Sequence, residues 1–302
     1  MGKISDALEK AGLEEEKDTK KVSESVAVDN SMDASPIVQA KEPANEPANE
    51  TASPSERVSL SQPMSQEVHK IWDERLFKAV YEDHFLPEIF KTLRSKILLP
   101  GDDKPVPKTI MVTSAEPKEG KSFVTANLGI SLAQGLDQHC LLVSCDLRRP
   151  SLSSLFGVDG DYGLVDYLRD KQELSWLIQK TSVDKLSIIA SGKPPVNPAE
   201  LLGSSRMKAL TKELSQRYED RIVIFDSPPY QLAAEAAVLA KLVDSIILVV
   251  RQGGAARHQV KKLIEKIDHE RLLGVVFNGH TTNIVERSLM KGYGSYAAQS
   301  YS

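Results

Sequence analysis

The sequence has no continuous apolar run of 18 or more residues, so no stretch of it reads as a helix that crosses a bilayer. Its opening, Met1-Gly2-Lys3-Ile4-Ser5-Asp6, carries no apolar signal core, and Asp6 stands where a myristoylation pattern needs Ser or Thr. Cysteine is scarce. The two present, Cys140 and Cys145, flank a strand-like run without metal-ligand spacing and are expected buried and reduced, as in a cytoplasmic protein. The six histidines are scattered, which excludes a histidine-rich metal centre. There is no excess of basic charge either. A formal charge of −4 with no basic block argues against nucleic acid as the main partner.

What is present is a loop of phosphate-binding composition. Ala115-Glu116-Pro117-Lys118-Glu119-Gly120-Lys121-Ser122 follows the β-branched run 109–113 and precedes a helical pattern over 122–134. Strand, Gly-Lys-Ser loop and helix, in that order, are the context a P-loop requires. Backbone N–H groups of such a loop and of the helix N-terminus form a nest for the β- and γ-phosphates of a nucleotide. The nucleotide contacts expected are Lys118, Glu119, Gly120, Lys121, Ser122 and Phe123. Lys121 reaches the terminal phosphates, the Ser122 hydroxyl ligates Mg²⁺, and Gly120 lies where backbone and phosphate come closest. ATP and Mg²⁺ are the cofactors this implies, and Mg²⁺ is the only metal expected.

Residues 4–13 place Ile4, Ala7, Leu8, Ala11 and Leu13 at helical spacing, a short amphipathic helix that would either dock on a partner or fray. Residues 14–67 are acidic, rich in Ser, Pro and Ala, and carry a Glu-Pro-Ala-Asn repeat at 42–49. They hold too little apolar surface to offset ordering and read as a disordered linker. From 68 onward Ile71, Trp72, Leu76, Phe77, Val80 and Tyr81 are expected to pack. A helix over 87–98 would set Ile89, Leu93 and Ile97 on one face and Glu88, Lys91 and Arg94 on another stripe, which alone reads as a solvated face.

Strand-like runs follow at 109–113, 140–145, 186–190, 221–226, 245–250 and 273–278. Helical patterns separate most of them, at 122–134, 163–179 (in two pieces), 204–217, 232–241 and 255–268. Short runs rich in Val, Ile and Leu are what strands buried on both faces look like. The alternation predicts an α/β fold, a mostly parallel sheet flanked by helices on both faces, over residues 68–285. The stretch 286–302 sets Tyr293, Tyr296 and Tyr301 among Gly, Ser and Ala and reads as an exposed, flexible tail.

Three strand ends carry chemistry. The run 141–145 closes on Asp146, then Arg148 and Arg149; at the carboxyl end of a strand Asp146 could hold Mg²⁺ or accept a proton, or instead cap the next helix or pair with Arg148. The run 221–225 closes on Asp226, a Walker B pattern whose carboxylate orients Mg²⁺. The last run closes on Asn278, whose amide could offer a donor and an acceptor to an adenine edge or could serve as a turn former.

Over about residues 70–302 the chain resembles the bacterial tyrosine autokinases of capsule and exopolysaccharide assembly, P-loop proteins related to chromosome-partitioning and septum-site ATPases. The resemblance rests on 114–122 as Walker A, 141–150 as the extra Walker A′ motif, 222–229 as Walker B, and the segment 191–202. The tyrosine tail resembles the family's phosphoacceptor cluster. The opening 3–11 is similar to that of kinases encoded beside exopolysaccharide and exosortase genes. Three positions depart from the pattern. Ser144 stands where Walker A′ usually has a first Asp, Lys91 where the oligomerisation helix has Arg, and the tyrosines are sparse.

The resemblance implies an ATP-dependent protein-tyrosine kinase with Lys121, Asp146 and Asp226 as catalytic residues. It implies Ser122, Asp146 and Asp226 at the metal, and Tyr293, Tyr296 and Tyr301 as acceptors in trans. It also implies ring assembly through Glu88, Lys91 and Arg94, a separate membrane-embedded polysaccharide chain-length regulator as activator, and a cognate phosphotyrosine phosphatase. Localisation would then be cytoplasmic, at the inner face of the plasma membrane. The competing readings are a partitioning-type ATPase and an ATP-binding assembly switch without kinase activity. Against the first, Glu116 occupies the position of its signature lysine.

Overall fold

Burial on both faces explains the unbroken apolar runs. The computed structural model describes residues 71–83, 85–101, 104–216 and 220–280. In it β1 (Thr109–Ser114), β2 (His139–Ser144), β4 (Leu186–Ile189), β5 (Arg221–Asp226), β6 (Ser245–Arg251) and β7 (Leu272–Asn278) run parallel. A short β3 (Ile178–Lys180) adds antiparallel to β4 at one edge. The order across the sheet is β3-β4-β2-β5-β1-β6-β7. Every residue of β1 is buried, and all but the first of β2 and of β5. Such strands have no wet face to alternate with. β7, the opposite edge, does alternate, exposing Val275 and Phe277. The start of β1 is held by the Asp244 carboxylate, which accepts the N–H groups of Lys108 and Thr109 at 3.0 and 2.9 Å.

One face of the sheet is covered by α3 (Lys121–Ala133), which leaves the phosphate loop directly and is buried along nearly its whole length. Packed around it are α1 (Glu74–Phe77), a π-helical turn (Lys78–Glu82), α2 (Leu86–Leu98) and α4 (Leu152–Phe156). The Trp72 indole meets Phe156 edge-on at 5.4 Å, and its N–H donates to Ser182 Oγ. The other face carries α5 (Leu164–Leu168), α6 (Leu174–Leu177), α7 (Pro198–Leu202), α8 (Ser205–Gln216), α9 (Ala234–Leu239) and α10 (Arg257–Lys266). Their apolar stripes meet Met111, Val143, Phe225 and Leu248. Cys140 and Cys145 are both buried thiols, and burial pushes both well up from the usual thiol range.

Several local expectations are corrected. The 163–179 pattern resolves into α5 and α6, and its last two residues belong to β3. A three-residue strand has too little length to show a period. The five-residue helices α4 and α7 were not foreseen for the same reason. On α2, Leu93 and Ile97 face the core as expected, joined by Phe90, while Ile89 is 44% exposed. Ile71 is 52% exposed, whereas Tyr81 packs against Phe77 at 5.0 Å between ring centroids. The helix expected at 4–13, the linker at 14–67 and the tail at 286–302 lie outside the described residues. Among the described residues no helix is long and apolar enough to cross a membrane.

Ile97 is fully buried where α2 joins the core around α3. Ile97→Ala should lower the unfolding free energy by about 2–5 kcal/mol, read as a fall in the urea midpoint.

Candidate active site

The phosphate loop leaves β1 in the crevice where the chain turns from one half of the sheet to the other, with β5 and β6 on either side. Its backbone is left-handed at Lys118 (φ 63°) and Gly120 (φ 94°). A Cβ at Gly120 would lie 2.0 Å from Asn278 Nδ2, so only glycine fits both the conformation and the space. The Glu119 side chain is buried and turns back under the loop. One carboxylate oxygen accepts the Glu116 N–H at 2.9 Å; the other accepts the N–H groups of Ala255 at 3.3 Å and Arg251 at 3.4 Å.

At the start of α3, Lys121 is 7% exposed. The Ser122 hydroxyl donates to Asp226 Oδ2 at 2.6 Å and accepts from the Ser151 hydroxyl at 2.9 Å. Asp226 is fully buried, and its other oxygen, Oδ1, has no partner among the described residues. Burial pushes its carboxyl up to about 7, against the Ser122 hydrogen bond and the Lys121 charge, with Asp146 adding to the rise. Asp146 is also raised by burial, opposed chiefly by Lys121. It accepts the Arg149 N–H at 3.2 Å, while Arg148 turns away to Glu235 at 2.6 Å. The two aspartates are therefore brought to the same lysine.

A hydroxyl and two carboxylates, one of them with an orphaned buried oxygen, make an all-oxygen donor set, which suits Mg²⁺. Ser144 pairs in register with Asp226, and its hydroxyl is buried without a partner. No carboxylate occupies that position. An apolar cleft of about 640 Å³ between α10 and the β6–β7 edge contains no phosphate-loop residue. Its lining combines the apolar Val260, Ile264 and Phe277 with Arg251, Arg257 and Lys261.

The structure brings together Lys118, Glu119, Gly120, Lys121, Ser122, Phe123, Asp146 and Asp226 in or beside the loop. Asn278 is near but differently engaged. Its amide N–H donates to Glu119 O at 2.8 Å and its Oδ1 accepts the Gly279 N–H, which uses one of its two donors and one of its two lone pairs. Glu88 and Lys91 form an exposed pair on α2 at 2.6 Å, while Arg94 donates inward to Ser131 O at 2.6 Å. The stripe is thus not uniformly a solvated face. Tyr293, Tyr296 and Tyr301 lie outside the described residues. Sequence reasoning missed the Glu119 side chain, Arg251, Ser151 and the buried Glu235. Arg251 closes an apolar strand as Asp226 does, and Glu235 is a lone acid among alanines; those signals were there to be read.

Fold and site together define a P-loop NTPase. No protein-family model matches the chain. Tyrosine-protein kinase YwqD of Bacillus subtilis is 36% identical over 194 residues, 64% of this chain and 80% of that protein. Tyrosine-protein kinase Etk of Escherichia coli is 34% identical over 172 residues, but the match spans only 23% of that longer protein. The solved kinase domain of E. coli ETK superposes with a TM-score of 0.58 at 30% identity, covering 66% of this chain and 78% of that one. The solved chimerical protein CapA2B2 gives 0.62 at 28% identity, over 72% of this chain and all of that one. The chain belongs to the bacterial tyrosine-protein kinases.

Asp226 gives the fold a pH signature. Its folded carboxyl titrates near 7 and its unfolded one near ~3.9, so the folded chain holds the proton more tightly. The stability this contributes is complete below about pH 4 and is lost as pH rises through about 7. Without nucleotide, the protein should melt at a lower temperature at pH 8 than at pH 6. Asp226→Asn should flatten that difference in a thermal scan.

Proposed function

We propose that this chain transfers the γ-phosphoryl group of ATP to tyrosine hydroxyls, those of Tyr293, Tyr296 and Tyr301 on a neighbouring copy among them. The observation that supports it best is the Ser122–Asp226 hydrogen bond at 2.6 Å at the head of the phosphate loop, with the Lys121 charge acting on both Asp226 and Asp146. In this reading the loop N–H groups from Lys118 to Phe123 hold the phosphates, and Lys121 neutralises charge on the transferring group. Ser122, Asp226 and Asp146 would hold Mg²⁺, which neutralises phosphate charge when bound. The tyrosine oxygen forms a bond to the γ-phosphorus as the bond to the β–γ bridging oxygen breaks, releasing ADP. Asp146 either assists the metal or takes the phenolic proton. A carboxylate raised by burial is a better acceptor for it than an ordinary one.

The family relation supports further parts of this reading. Residues 68–285 are the kinase domain, 1–13 a docking helix on the linker 14–67, and 286–302 the acceptor segment. Copies assemble into a ring through α2. The exposed Glu88–Lys91 pair is available for that, whereas Arg94 serves the fold of its own chain. Phosphates on the tail add about two charges each and favour release, and a phosphotyrosine phosphatase resets the cycle. The activator is a membrane-embedded polysaccharide chain-length regulator that recruits the kinase to the inner face of the membrane, and the process regulated is exopolysaccharide polymerisation and export.

A second reading rests on Ser144. With a hydroxyl where the relatives' pattern has a carboxylate, the chain would bind or hydrolyse ATP as an assembly switch and phosphorylate nothing. Incubation with Mg-ATP followed by a phosphotyrosine blot separates the two. Wild type should give a signal, Lys121→Met at most about a hundredth of it, and Asp146→Asn a rate lower by about 10²–10⁴-fold. Phosphate release or nucleotide binding without phosphotyrosine would establish the second reading instead.

A further inference from the structure

One side chain at the carboxyl end of each of β6 and β7 turns toward the phosphate loop. Arg251, the last residue of β6, donates from Nη1 to Lys118 O at 3.3 Å. Asn278, the last residue of β7, donates from Nδ2 to Glu119 O at 2.8 Å. The two strand ends are joined to each other, since the Gln252 N–H donates to Asn278 O at 2.9 Å. The buried Glu119 carboxylate closes the connection from the loop side, accepting from Arg251 and Ala255.

These contacts fix the direction of two peptide planes. In a trans peptide the carbonyl of one residue and the N–H of the next point in opposite directions. Holding Lys118 O toward Arg251 therefore turns the Glu119 N–H the other way. Holding Glu119 O toward Asn278 does the same to the Gly120 N–H. The left-handed conformations at Lys118 and Gly120 on either side of Glu119 let successive N–H groups converge into an anion nest. Left alone, a loop with those conformations has peptide planes that can flip.

We propose that Asn278 and Arg251 are positioning residues for the triphosphate. They brace the loop's carbonyls from behind so that its N–H groups are already aimed at phosphate before nucleotide arrives. Asn278 then serves every nucleotide alike and reads no base. The inference rests on the nucleotide-binding part of the reading above and is independent of tyrosine as acceptor.

The test is a titration of Mg-ATP, Mg-GTP and Mg-tripolyphosphate into wild type, Asn278→Asp and Arg251→Gln, with circular dichroism to verify folding. Asn278→Asp keeps the shape but sets a carboxylate against Glu119 O. It should weaken all three ligands by about tenfold and leave the ATP-to-GTP ratio unchanged. Arg251→Gln, at an exposed site, should weaken all three by about threefold, and it decides the matter if Asn278→Asp does not fold. A loss confined to ATP would overturn the proposal in favour of base recognition. So would unchanged affinities in the folded variants, or a wild type that fails to bind tripolyphosphate. If the phosphotyrosine assay is negative while the three affinities move together, the kinase reading falls and the brace stands.

Discussion

The site depends on one ammonium group placed where water is largely excluded. Lys121 is buried at the start of α3, and a lone buried charge is costly unless it is compensated. The compensation comes from the charge field of Asp146 and Asp226, both buried, whose own ionisation Lys121 favours. Neither carboxylate is comfortable there without a cation, and Asp226 keeps one oxygen unpartnered. Excess acid against one lysine is a poor arrangement for a protein interior and a suitable one for receiving Mg²⁺ with a triphosphate.

That arrangement requires a parallel sheet. Asp146, Asp226 and the loop after β1 are widely separated along the chain, yet each follows the carboxyl end of a strand. Parallel pairing brings all such ends to one edge, where Asp226 lies level with Ser144 on one side and Val112 on the other. The crossover helices needed to return the chain cover both faces and make the sheet's interior dry. The same dryness pushes the aspartates upward. Fold and electrostatics have one cause.

Much of this could be read from residue order. Five of the six parallel strands stand in the sequence as apolar runs because they are buried on both faces, whereas β7, at the edge, exposes Val275 and Phe277. The Gly-Lys-Ser turn and the strand-terminal aspartates are short patterns with their meaning in the neighbouring residues. β3, α4 and α7 could not be read, since three to five residues make no period. On α2 only Ile89 departs from the expected inward face, because Ile89, Phe90, Leu93 and Ile97 fit more than one helical stripe and only packing against α3 selects among them.

Asn278 marks the division most clearly. Residue order alone determined that a polar amide ends the last strand, that a glycine-lysine-serine turn follows the first, and that an α/β sheet connects them. Only the tertiary structure decided that the amide grips Glu119 O, that Arg94 turns inward to Ser131, and that the Glu119 carboxylate fastens the loop to the end of β6. The reason is physical. Strand and turn propensities act over a few neighbours along the chain, whereas a hydrogen bond between residues 119 and 278 exists only once the whole sheet has set the distance between them.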